Sequence, residues 1–341
     1  MNKDNSIYYN LNDILSKNRI YNFLIGNRGG GKSYNAKKWA INSFLRTGKK
    51  FLWVRRYTSE LNNIEEEFMK DLLFENEYPD HELKIKNHKK ETFLYVDGCI
   101  AGKFIALSTS MREKSKSYHD YDKIIYDEFI IKLGALRYLK EEPLLFNELY
   151  DTVDRQRDVT RCLFIGNSIS IVNPYFRYFK IKPNIKQRFT MNKNIVIEMY
   201  KNKKFIEMKK KTRFGQLIDG TDYGKYNMEN EFLDDNYSFV NENRPPKLIY
   251  SLTIVYEKQS YGVWLHLGKE KDTLYIDEIV EKDCTRILSV DFKDLNENCK
   301  FKNYKGLRLY VDQLKGMFSE GKIYFSTIDV KYKMYEVLKV L

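Results

Sequence analysis

The chain has 341 residues, 43% of them hydrophobic, so it can bury a sizeable core as one large domain or two ordinary ones. No apolar stretch reaches the ~20 residues that a membrane-spanning helix needs, and residues 1–10 lack the layout of a signal peptide. The four scattered cysteines form no C-x-x-C pair, which argues against a zinc site or a disulfide framework. These features predict a soluble intracellular protein with no membrane partner, and the net charge of +12 indicates a polyanionic partner.

Strands and helices alternate through the first half of the chain. This alternation is typical of a mostly parallel sheet with helices on both faces. Strands are predicted at residues 21–25, 51–55, 92–96, 103–107, 123–126 and 162–165. Helices are predicted at residues 32–46, 59–74 and 144–157, with a short one that opens at Asn173-Pro174 and ends near Pro183.

A phosphate-binding loop lies between the first predicted strand and the first predicted helix. It fits the pattern G-x-x-x-x-G-K-[ST] at every fixed position, and its members are Gly26, Asn27, Arg28, Gly29, Gly30, Gly31, Lys32 and Ser33. The glycines let backbone N–H groups surround phosphate oxygens, and the helix N-terminus adds a favourable dipole. Lys32 is predicted to reach the β- and γ-phosphates of ATP, and Ser33 to ligate Mg²⁺. The alternative, a glycine-rich turn without a ligand, is disfavoured because strand, loop, lysine and helix all agree.

Two adjacent acids, Asp127 and Glu128, follow the predicted strand at 123–126. Ligands of open α/β sheets bind at the carboxyl ends of the strands. Asp127 is therefore predicted to help hold Mg²⁺ through the coordination shell of the ion, and Glu128 is predicted to polarise the attacking water. A glutamate next to the magnesium aspartate is typical of ring-forming and helicase-like ATPases rather than of most kinases and small GTPases. An ordinary acid pair at a strand end is the alternative.

Three further side chains could act on the γ-phosphate. Arg155 and Arg157 end the predicted helix at 144–157, where an arginine can neutralise transition-state charge in cis or in trans. The alternative is a pair of surface arginines favoured by the helix dipole. Asn167 follows the predicted strand at 162–165 and could sense the γ-phosphate, or it is a turn residue after a core strand.

Most of the excess positive charge lies in residues 180–213, which hold twelve lysines and arginines against two acids, Glu198 and Glu207. A concentrated basic segment indicates a nucleic-acid partner, and a solvated basic face near a domain junction is the alternative. From residue 195 to residue 226 the apolar residues show little periodicity, which predicts a linker or a small connecting domain.

Beyond Arg244-Pro245-Pro246 the pattern changes to short strands at 248–256, 261–267 and 273–280. They predict an antiparallel meander with its first turn at Gln259-Ser260, followed by helices at 304–318 and 331–341. The sequence therefore predicts three segments: an ATPase domain at 1–194, a basic connecting segment at 195–243 and a nucleic-acid-binding α+β domain at 244–341.

Taken together, these motifs resemble the DNA-packaging ATPases, or encapsidation proteins, of phi-twenty-nine-type podophages. The resemblance runs nearly end to end and includes segments with no general ATPase meaning. Beyond the loop and the acid pair, they are Tyr9-Asn10, Val54-Arg55-Arg56-Tyr57, Phe129, Val172-Asn173-Pro174-Tyr175-Phe176, Lys211-Thr212-Arg213-Phe214-Gly215, Leu217-Ile218-Asp219-Gly220-Thr221, Gly262-Val263-Trp264 and Asp294-Leu295-Asn296-Glu297-Asn298. Thr58 departs from the family, in which the residue after the tyrosine can be a lysine.

The resemblance implies a pentameric ring at the portal vertex of an empty capsid, which pumps double-stranded DNA with ATP and is tethered by a structured packaging RNA. It implies that Arg155 acts in trans on the neighbour's nucleotide, that Lys114 is a second trans residue, and that Tyr9 lies near the adenine. It also implies work in the host cytoplasm, transient docking on the procapsid, and absence from the mature virion.

The fold that the resemblance implies is an α/β P-loop ATPase domain of the additional-strand, catalytic-glutamate type, then a linker and a smaller α+β domain like a nuclease-dead ribonuclease H. Two-metal cleavage needs clustered carboxylates, and the predicted strand at 248–256 carries none. Asp277 and Glu278 close the third strand, where solvated strand-end acids are favoured over catalytic ones.

The sequence thus predicts an ATP-driven DNA translocase that uses ATP and Mg²⁺. Three alternatives remain: a cleaving, terminase-like packaging ATPase, a nucleotide-gated scaffold that binds nucleic acid without turnover, and a helicase-like ATPase. The absent strand acid disfavours the first, and Glu128 disfavours the second. The third is disfavoured because no aromatic-rich groove for a single strand is evident.

Overall fold

The computed structural model describes residues 8–89, 91–131, 138–167, 173–181, 183–184, 187–221, 239–268 and 271–341. The chain divides into two compact units, residues 1–234 and residues 235–341. In these ranges, no helix has both the length and the apolar character needed to cross a lipid bilayer.

The first unit is built on a sheet whose described strands number nine, in the order β3-β4-β5-β2-β6-β7-β1-β9-β8. The strands are β1 (Tyr21–Gly26), β2 (Lys50–Arg55), β3 (Leu83–His88), β4 (Glu91–Val96), β5 (Cys99–Ala106), β6 (Tyr121–Asp127), β7 (Arg161–Asn167), β8 (Phe189–Met191) and β9 (Ile195–Tyr200). The run from β5 through β2, β6, β7 and β1 to β9 is parallel, whereas β3, β4 and β8 pair antiparallel at the two edges.

The central strands are buried on both faces, as parallel strands covered by helices usually are. Successive residues of β1 show this, because Phe23 and Ile25 belong to one hydrophobic cluster and Leu24 to the other. The helices of this unit are α1 (Asn12–Leu15), α2 (Lys32–Thr47), α3 (Ile64–Phe74), α4 (Glu142–Asp154), α5 (Pro174–Tyr178), α6 (Lys203–Lys210) and α7 (Arg213–Ile218). Buried residues of α2 and α3 join one cluster, and those of α4 and α5 join the other.

Two helix predictions need correction. The helix expected at 59–74 begins only at Ile64, because residues Thr58–Leu61 form a 3₁₀ turn. The Glu60 carboxylate accepts the backbone N–H of Tyr57, the residue before this turn, at 2.7 Å. The helix expected to end at Arg157 ends at Asp154. Arg155 and Gln156 adopt positive φ angles, and the Asp154 carboxylate accepts the N–H groups of residues 158, 159 and 160.

The short helix after Asn173 is confirmed, although it ends at Tyr178 rather than near Pro183. The Asn173 side chain accepts the backbone N–H groups of Tyr175 and Phe176 at 3.1 Å each. An asparagine followed by proline at the first helical position is a favourable helix start.

The expected boundary at residues 194 and 195 is wrong. Strand β9 begins at Ile195 and pairs in parallel with β1 over six residues, from Tyr21↔Ile195 to Gly26↔Tyr200. It therefore completes the sheet of the first unit instead of opening a linker. The segment after it forms α6 and α7, two short helices that the weak apolar periodicity concealed because each buries few side chains.

The second unit has a sheet whose described strands lie in the order β14-β13-β10-β11-β12-β15. They are β10 (Leu248–Tyr256), β11 (Gln259–His266), β12 (Thr273–Asp277), β13 (Ile287–Ser289), β14 (Cys299–Phe301) and β15 (Ile323–Phe325). The antiparallel meander β10-β11-β12 is confirmed, but its first turn lies at Glu257-Lys258, where both φ angles are positive. Helices α8 (Arg308–Ser319) and α9 (Ile328–Leu338) contribute to the hydrophobic cluster of this sheet.

The position of β9 predicts how the chain can be divided. We expect a fragment of residues 1–194 to aggregate or to lack a cooperative unfolding transition. It would lose one of the two partner strands of β1 and the four buried apolar side chains of that strand, and each large buried side chain contributes roughly 2–5 kcal/mol. A fragment of residues 1–221, which keeps β9, should unfold cooperatively. Thermal unfolding followed by circular dichroism distinguishes them, and equal midpoints would contradict the role given to β9.

Candidate nucleotide-binding and catalytic site

The predicted phosphate loop connects β1 directly to α2. Gly29 and Gly31 have φ angles of +81° and +80°, a region that residues with a Cβ rarely adopt. Gly31 is the residue that precedes the first turn of α2. A Cβ there would also lie 3.2 Å from the Tyr8 side chain. The glycines therefore serve the backbone shape that the motif predicts.

The side chain of Lys32 is folded back into this loop. Its Nζ donates to the carbonyl oxygens of Gly26 at 2.8 Å and Asn27 at 2.6 Å, and to Asn167 Oδ1 at 3.3 Å. Burial lowers the pKa of Lys32 to about 7, and the Asp127 carboxylate opposes that shift. An anionic phosphate at this place would favour the charged form. The structure thus brings Asn167 to the lysine of the loop, as the sensing prediction requires.

The two predicted magnesium ligands are in direct contact. Ser33 Oγ donates to Asp127 Oδ1 at 2.9 Å, so the start of α2 and the end of β6 meet at one point. A hydroxyl and a carboxylate are oxygen donors of the kind that Mg²⁺ prefers, with water and phosphate oxygens completing its shell. Ser33 and Asp127 therefore fit the role of holding this ion.

Glu128 follows β6 with a φ angle of +62°, a left-handed conformation that costs about 1–3 kcal/mol for a residue other than glycine. Its carboxylate pairs with Arg55 Nη1 at 2.9 Å, and Arg55 Nη2 lies 3.4 Å from Asp127 Oδ2. In the sequence Arg55 stands out only as part of a family segment, and sequence reasoning does not place it in the site. The available signal is positional, because Arg55 ends β2, the parallel neighbour of β6.

These groups line a cavity of about 600 Å³, a size suited to a small-molecule ligand. The loop, Asp127, Glu128 and Asn167 form one part of its wall. Residues of α2 and α3 and of the chain before α1 form another part, which includes Tyr8, Asn10, Asn35, Lys38 and Phe74.

Tyr9, which the resemblance places near the adenine, lies at the edge of this cavity. Its ring is only 1% exposed, and its hydroxyl donates to Glu198 Oε2 at 2.6 Å. Its backbone N–H donates to the Gly30 carbonyl at 3.0 Å, so Tyr9 supports the loop from behind. The neighbouring Tyr8 is 39% exposed, lies against Gly31 and has the more accessible ring of the two.

The two residues expected to act in trans lie beside α4. Arg155 is exposed and donates to the Lys116 carbonyl at 2.9 Å. Lys114 pairs with Glu148 of α4 at 3.3 Å. Within the described residues, the Arg155 guanidinium thus contacts the backbone of the segment before β6, and Lys114 contacts α4.

The side chain of Arg157, the alternative to Arg155, is hydrogen-bonded to the backbone of its own chain. Its guanidinium donates to backbone carbonyls on both sides, and the oxygens are those of Val153 (2.8 Å), Asp154 (2.9 Å), Tyr118 (3.3 Å), Tyr121 (2.9 Å) and His119. This guanidinium therefore fixes the loop between α4 and β7 against the end of α4 and against residues 118–121, at the start of β6. The geometry therefore favours Arg155 over Arg157 as the arginine that can reach a neighbour.

Part of the basic segment lies against the phosphate loop. The Phe205 ring of α6 packs next to Gly29, and Lys209 Nζ donates to the Arg28 carbonyl at 3.3 Å. Tyr200, at the end of β9, contacts both Gly26 and Gly30. Sequence reasoning assigned this segment to nucleic acid alone, and nothing local to the sequence shows that it returns to the loop.

The acids of the second unit also differ from expectation. Asp277 is buried rather than solvated, and it accepts hydrogen bonds from Arg244 Nε (2.9 Å), Trp264 Nε1 (2.8 Å) and the Ile279 N–H (3.1 Å). Glu278 is exposed, as expected. Asp277 therefore ties the meander to the segment before β10.

Comparison with known proteins gives matches along the whole chain. The family model of the podovirus DNA encapsidation protein (Gp16) matches residues 3–341. The DNA packaging protein of Bacillus phage phi29 is 36% identical over 337 residues, which cover 98% of this chain and 98% of that protein. The DNA packaging protein of Bacillus phage B103 is 37% identical over 327 residues, which cover 96% of this chain and 98% of that one.

Among solved structures, the viral genome packaging motor assembly of bacteriophage Phi-29 contains a chain with a TM-score of 0.79 and 36% sequence identity. That match covers 97% of this chain and 98% of the other. The crystal structure of the N-terminal domain of the phi29 DNA packaging ATPase has a TM-score of 0.54 at 39% identity, and it covers 58% of this chain and 98% of that one.

The contact between α6 and the loop predicts a role for Lys209 in nucleotide binding. We expect Lys209→Met to weaken ATP binding about fivefold, or about 1 kcal/mol, because it removes both a hydrogen bond that orients the loop and a positive charge near the phosphates. Lys210→Met is the matched control, since the adjacent Lys210 pairs with Asp219 instead. Titration with a fluorescent ATP analogue measures both, and equal affinities for the two variants would contradict the assignment.

Proposed function

The chain belongs to the podovirus DNA encapsidation protein family, and we propose that it is the ATP-hydrolysing subunit of a motor that drives double-stranded DNA into an empty phage capsid. The observation that carries this proposal is the convergence of Lys32, Ser33, Asp127 and Glu128 on one cavity. The alignment with DNA packaging proteins along nearly their whole length supports the substrate.

The strand order supports the proposed ATPase type. Strand β7 lies between β1, which carries the phosphate loop, and β6, which carries the acids. An extra strand at this position, together with a glutamate directly after the magnesium aspartate, is what the additional-strand, catalytic-glutamate type requires. For the second unit we retain the proposal of a ribonuclease-H-like fold without nuclease activity.

The residues of the cavity divide the chemistry among them. The loop N–H groups and Lys32 would hold the β- and γ-phosphates of ATP, Asn167 would sense the γ-phosphate, and Ser33 and Asp127 would hold Mg²⁺. Bound Mg²⁺ would neutralise charge that develops on the phosphate oxygens. Glu128 orients and polarises the attacking water. The common position of these groups at one edge of the sheet supports this division of roles.

Completion of the site by a neighbouring subunit makes hydrolysis depend on a ring. Arg155 is the arginine proposed to act in trans, with Lys114 beside the same helix as a second candidate. We propose a pentameric ring that works with the capsid portal and a packaging RNA in the host cytoplasm, docked on the procapsid and absent from the mature virion. Support for these partners comes from the family and from the similarity to a chain of the phi29 motor assembly.

The cleaving terminase remains the main alternative. Asp277, the buried acid at the end of β12, is occupied by Arg244 and Trp264. Carboxylates that hold two metal ions must instead face the metals together. The engagement of Asp277 favours a motor without a nuclease, and incubation of supercoiled plasmid with Mn²⁺ tests this directly.

ATP turnover tests the catalytic role proposed for Glu128. Double-stranded DNA should stimulate ATP hydrolysis by the wild-type chain, and Glu128→Gln should lower kcat by at least about a hundredfold while ATP still binds, because the amide cannot accept a proton from water. Steady-state hydrolysis with and without DNA measures this. If the wild type binds ATP and DNA on assembled procapsids without hydrolysis, the nucleotide-gated scaffold is correct instead.

Mixed rings test whether Arg155 acts in trans. Arg155→Ala subunits keep Glu128, and Glu128→Gln subunits keep Arg155, so each variant should be inactive alone but active where the two meet. We expect a mixture to recover a measurable fraction of the wild-type hydrolysis rate. Arg157→Ala is the comparison variant, and its expected effect is a lower unfolding temperature, since its carbonyl contacts are structural. A mixture with no recovered activity would contradict action in trans.

A further inference from the structure

A buried ion pair lies next to the proposed site and has no role in the chemistry described so far. Arg56, which follows β2, is 1% exposed, and Glu142, the first residue of α4, is 0% exposed. The guanidinium contacts the carboxylate through Nε at 2.8 Å and through Nη2 at 3.1 Å. Two charges so completely removed from water require close compensation.

The Glu142 carboxylate receives that compensation from three further donors. They are the backbone N–H of Leu139 (2.9 Å), the Tyr126 hydroxyl (2.8 Å) and the Tyr175 hydroxyl (3.2 Å). With the two bonds from Arg56, its oxygens accept five hydrogen bonds. The carboxylate therefore joins the end of β2, strand β6, the start of α4 and helix α5 at one point.

The remaining guanidinium contacts run to the backbone at Glu128. Arg56 Nη1 donates to the Glu128 carbonyl at 3.2 Å, and Nη2 donates to the Phe129 carbonyl at 2.7 Å. Glu128 has the left-handed φ angle of +62°, which persists only where the surroundings hold it. Its side chain is held by Arg55 at 2.9 Å. Two successive arginines thus fix the backbone and the carboxylate of the same residue.

We propose that the Arg56–Glu142 pair is a positioning element for hydrolysis. It fixes the backbone of Glu128 and holds it in a set position relative to α4, the helix that ends next to Arg155. The inference rests on the proposed function, in which Glu128 orients water and Arg155 reaches a neighbouring site. Helix α4 begins at Glu142 and ends at Asp154, so its 13 residues join the pair to Arg155 over about 20 Å.

Energetics favour a positioning role over a stabilising one. Well-packed hydrophobic residues often replace a buried ion pair without loss of stability, so stability alone does not account for such a pair. A planar guanidinium, in contrast, directs several donors in fixed directions. Here the donors reach one carboxylate and the backbone carbonyls of Glu128 and Phe129, and an apolar pair could not make these contacts.

The test uses the full chain with double-stranded DNA and two variants. Glu142→Gln removes the charge but keeps a polar group of the same size. Arg56→Lys keeps the charge but loses the planar, forked arrangement of donors that the guanidinium provides. We expect each to lower kcat for ATP hydrolysis at least about tenfold while KM and the affinity for a fluorescent ATP analogue change less than about threefold, since misplacement by a fraction of an ångström affects chemistry more than binding. Arg56→Lys carries the test if Glu142→Gln does not fold.

Asp277→Asn provides the matched control, because it also removes the charge of a buried carboxylate that pairs with an arginine, but in the second unit. Its unfolding temperature should fall while hydrolysis without DNA stays at the wild-type rate. Folded Glu142→Gln or Arg56→Lys protein with kcat within twofold of wild type would overturn the proposal. So would equal losses of kcat and ATP affinity that track the loss of stability.

A double variant separates this inference from the proposed function. If Glu142 acts through Glu128, Glu142→Gln should lower kcat in the wild-type background but have little further effect on the residual activity of Glu128→Gln. Additive losses would show that Glu142 acts elsewhere and would overturn the positioning role. Full activity of Glu128→Gln itself would instead refute the proposed catalytic assignment, whatever the Glu142 variants do.

Discussion

The whole site depends on the pairing of four neighbouring parallel strands, β2, β6, β7 and β1. Parallel pairing places the carboxyl ends of all four at the same edge of the sheet. Arg55, the acids at 127–128, Asn167 and the phosphate loop each come directly after or at the end of one of these strands. Groups that lie more than a hundred residues apart in the sequence therefore meet at this edge. The pairing of the strands brings them together, and no separate contact between each pair of groups is needed.

Burial of charge is the second constraint on this molecule. Lys32 is held among carbonyl oxygens at the cavity, and its burial there lowers its pKa, although the Asp127 carboxylate opposes that shift. The Arg56–Glu142 pair lies in the core, where its polar groups are satisfied by one another and by backbone carbonyls. The first arrangement suits a ligand that brings negative charge, and the second suits a fixed geometry that needs no ligand.

The basic segment connects these constraints to the rest of the chain. Its positive charge predicts a nucleic-acid partner. In the folded chain, α6 also contacts the phosphate loop through Phe205 and Lys209. A ligand that reshapes the loop would therefore also act on α6.

The sequence by itself determined the chemistry that depends on contiguous residues. The phosphate loop, the acid pair, the central strands and the meander were predictable because spacing and hydrophobic period are local properties. Only the tertiary structure decided the contacts of Arg55, the burial of Tyr9 and Asp277, the engagement of Arg157 and the place of β9 beside β1. These outcomes depend on which strands become neighbours, and β9 shows why: its pairing joins residues more than 170 positions apart, a relation that no local pattern in the chain encodes.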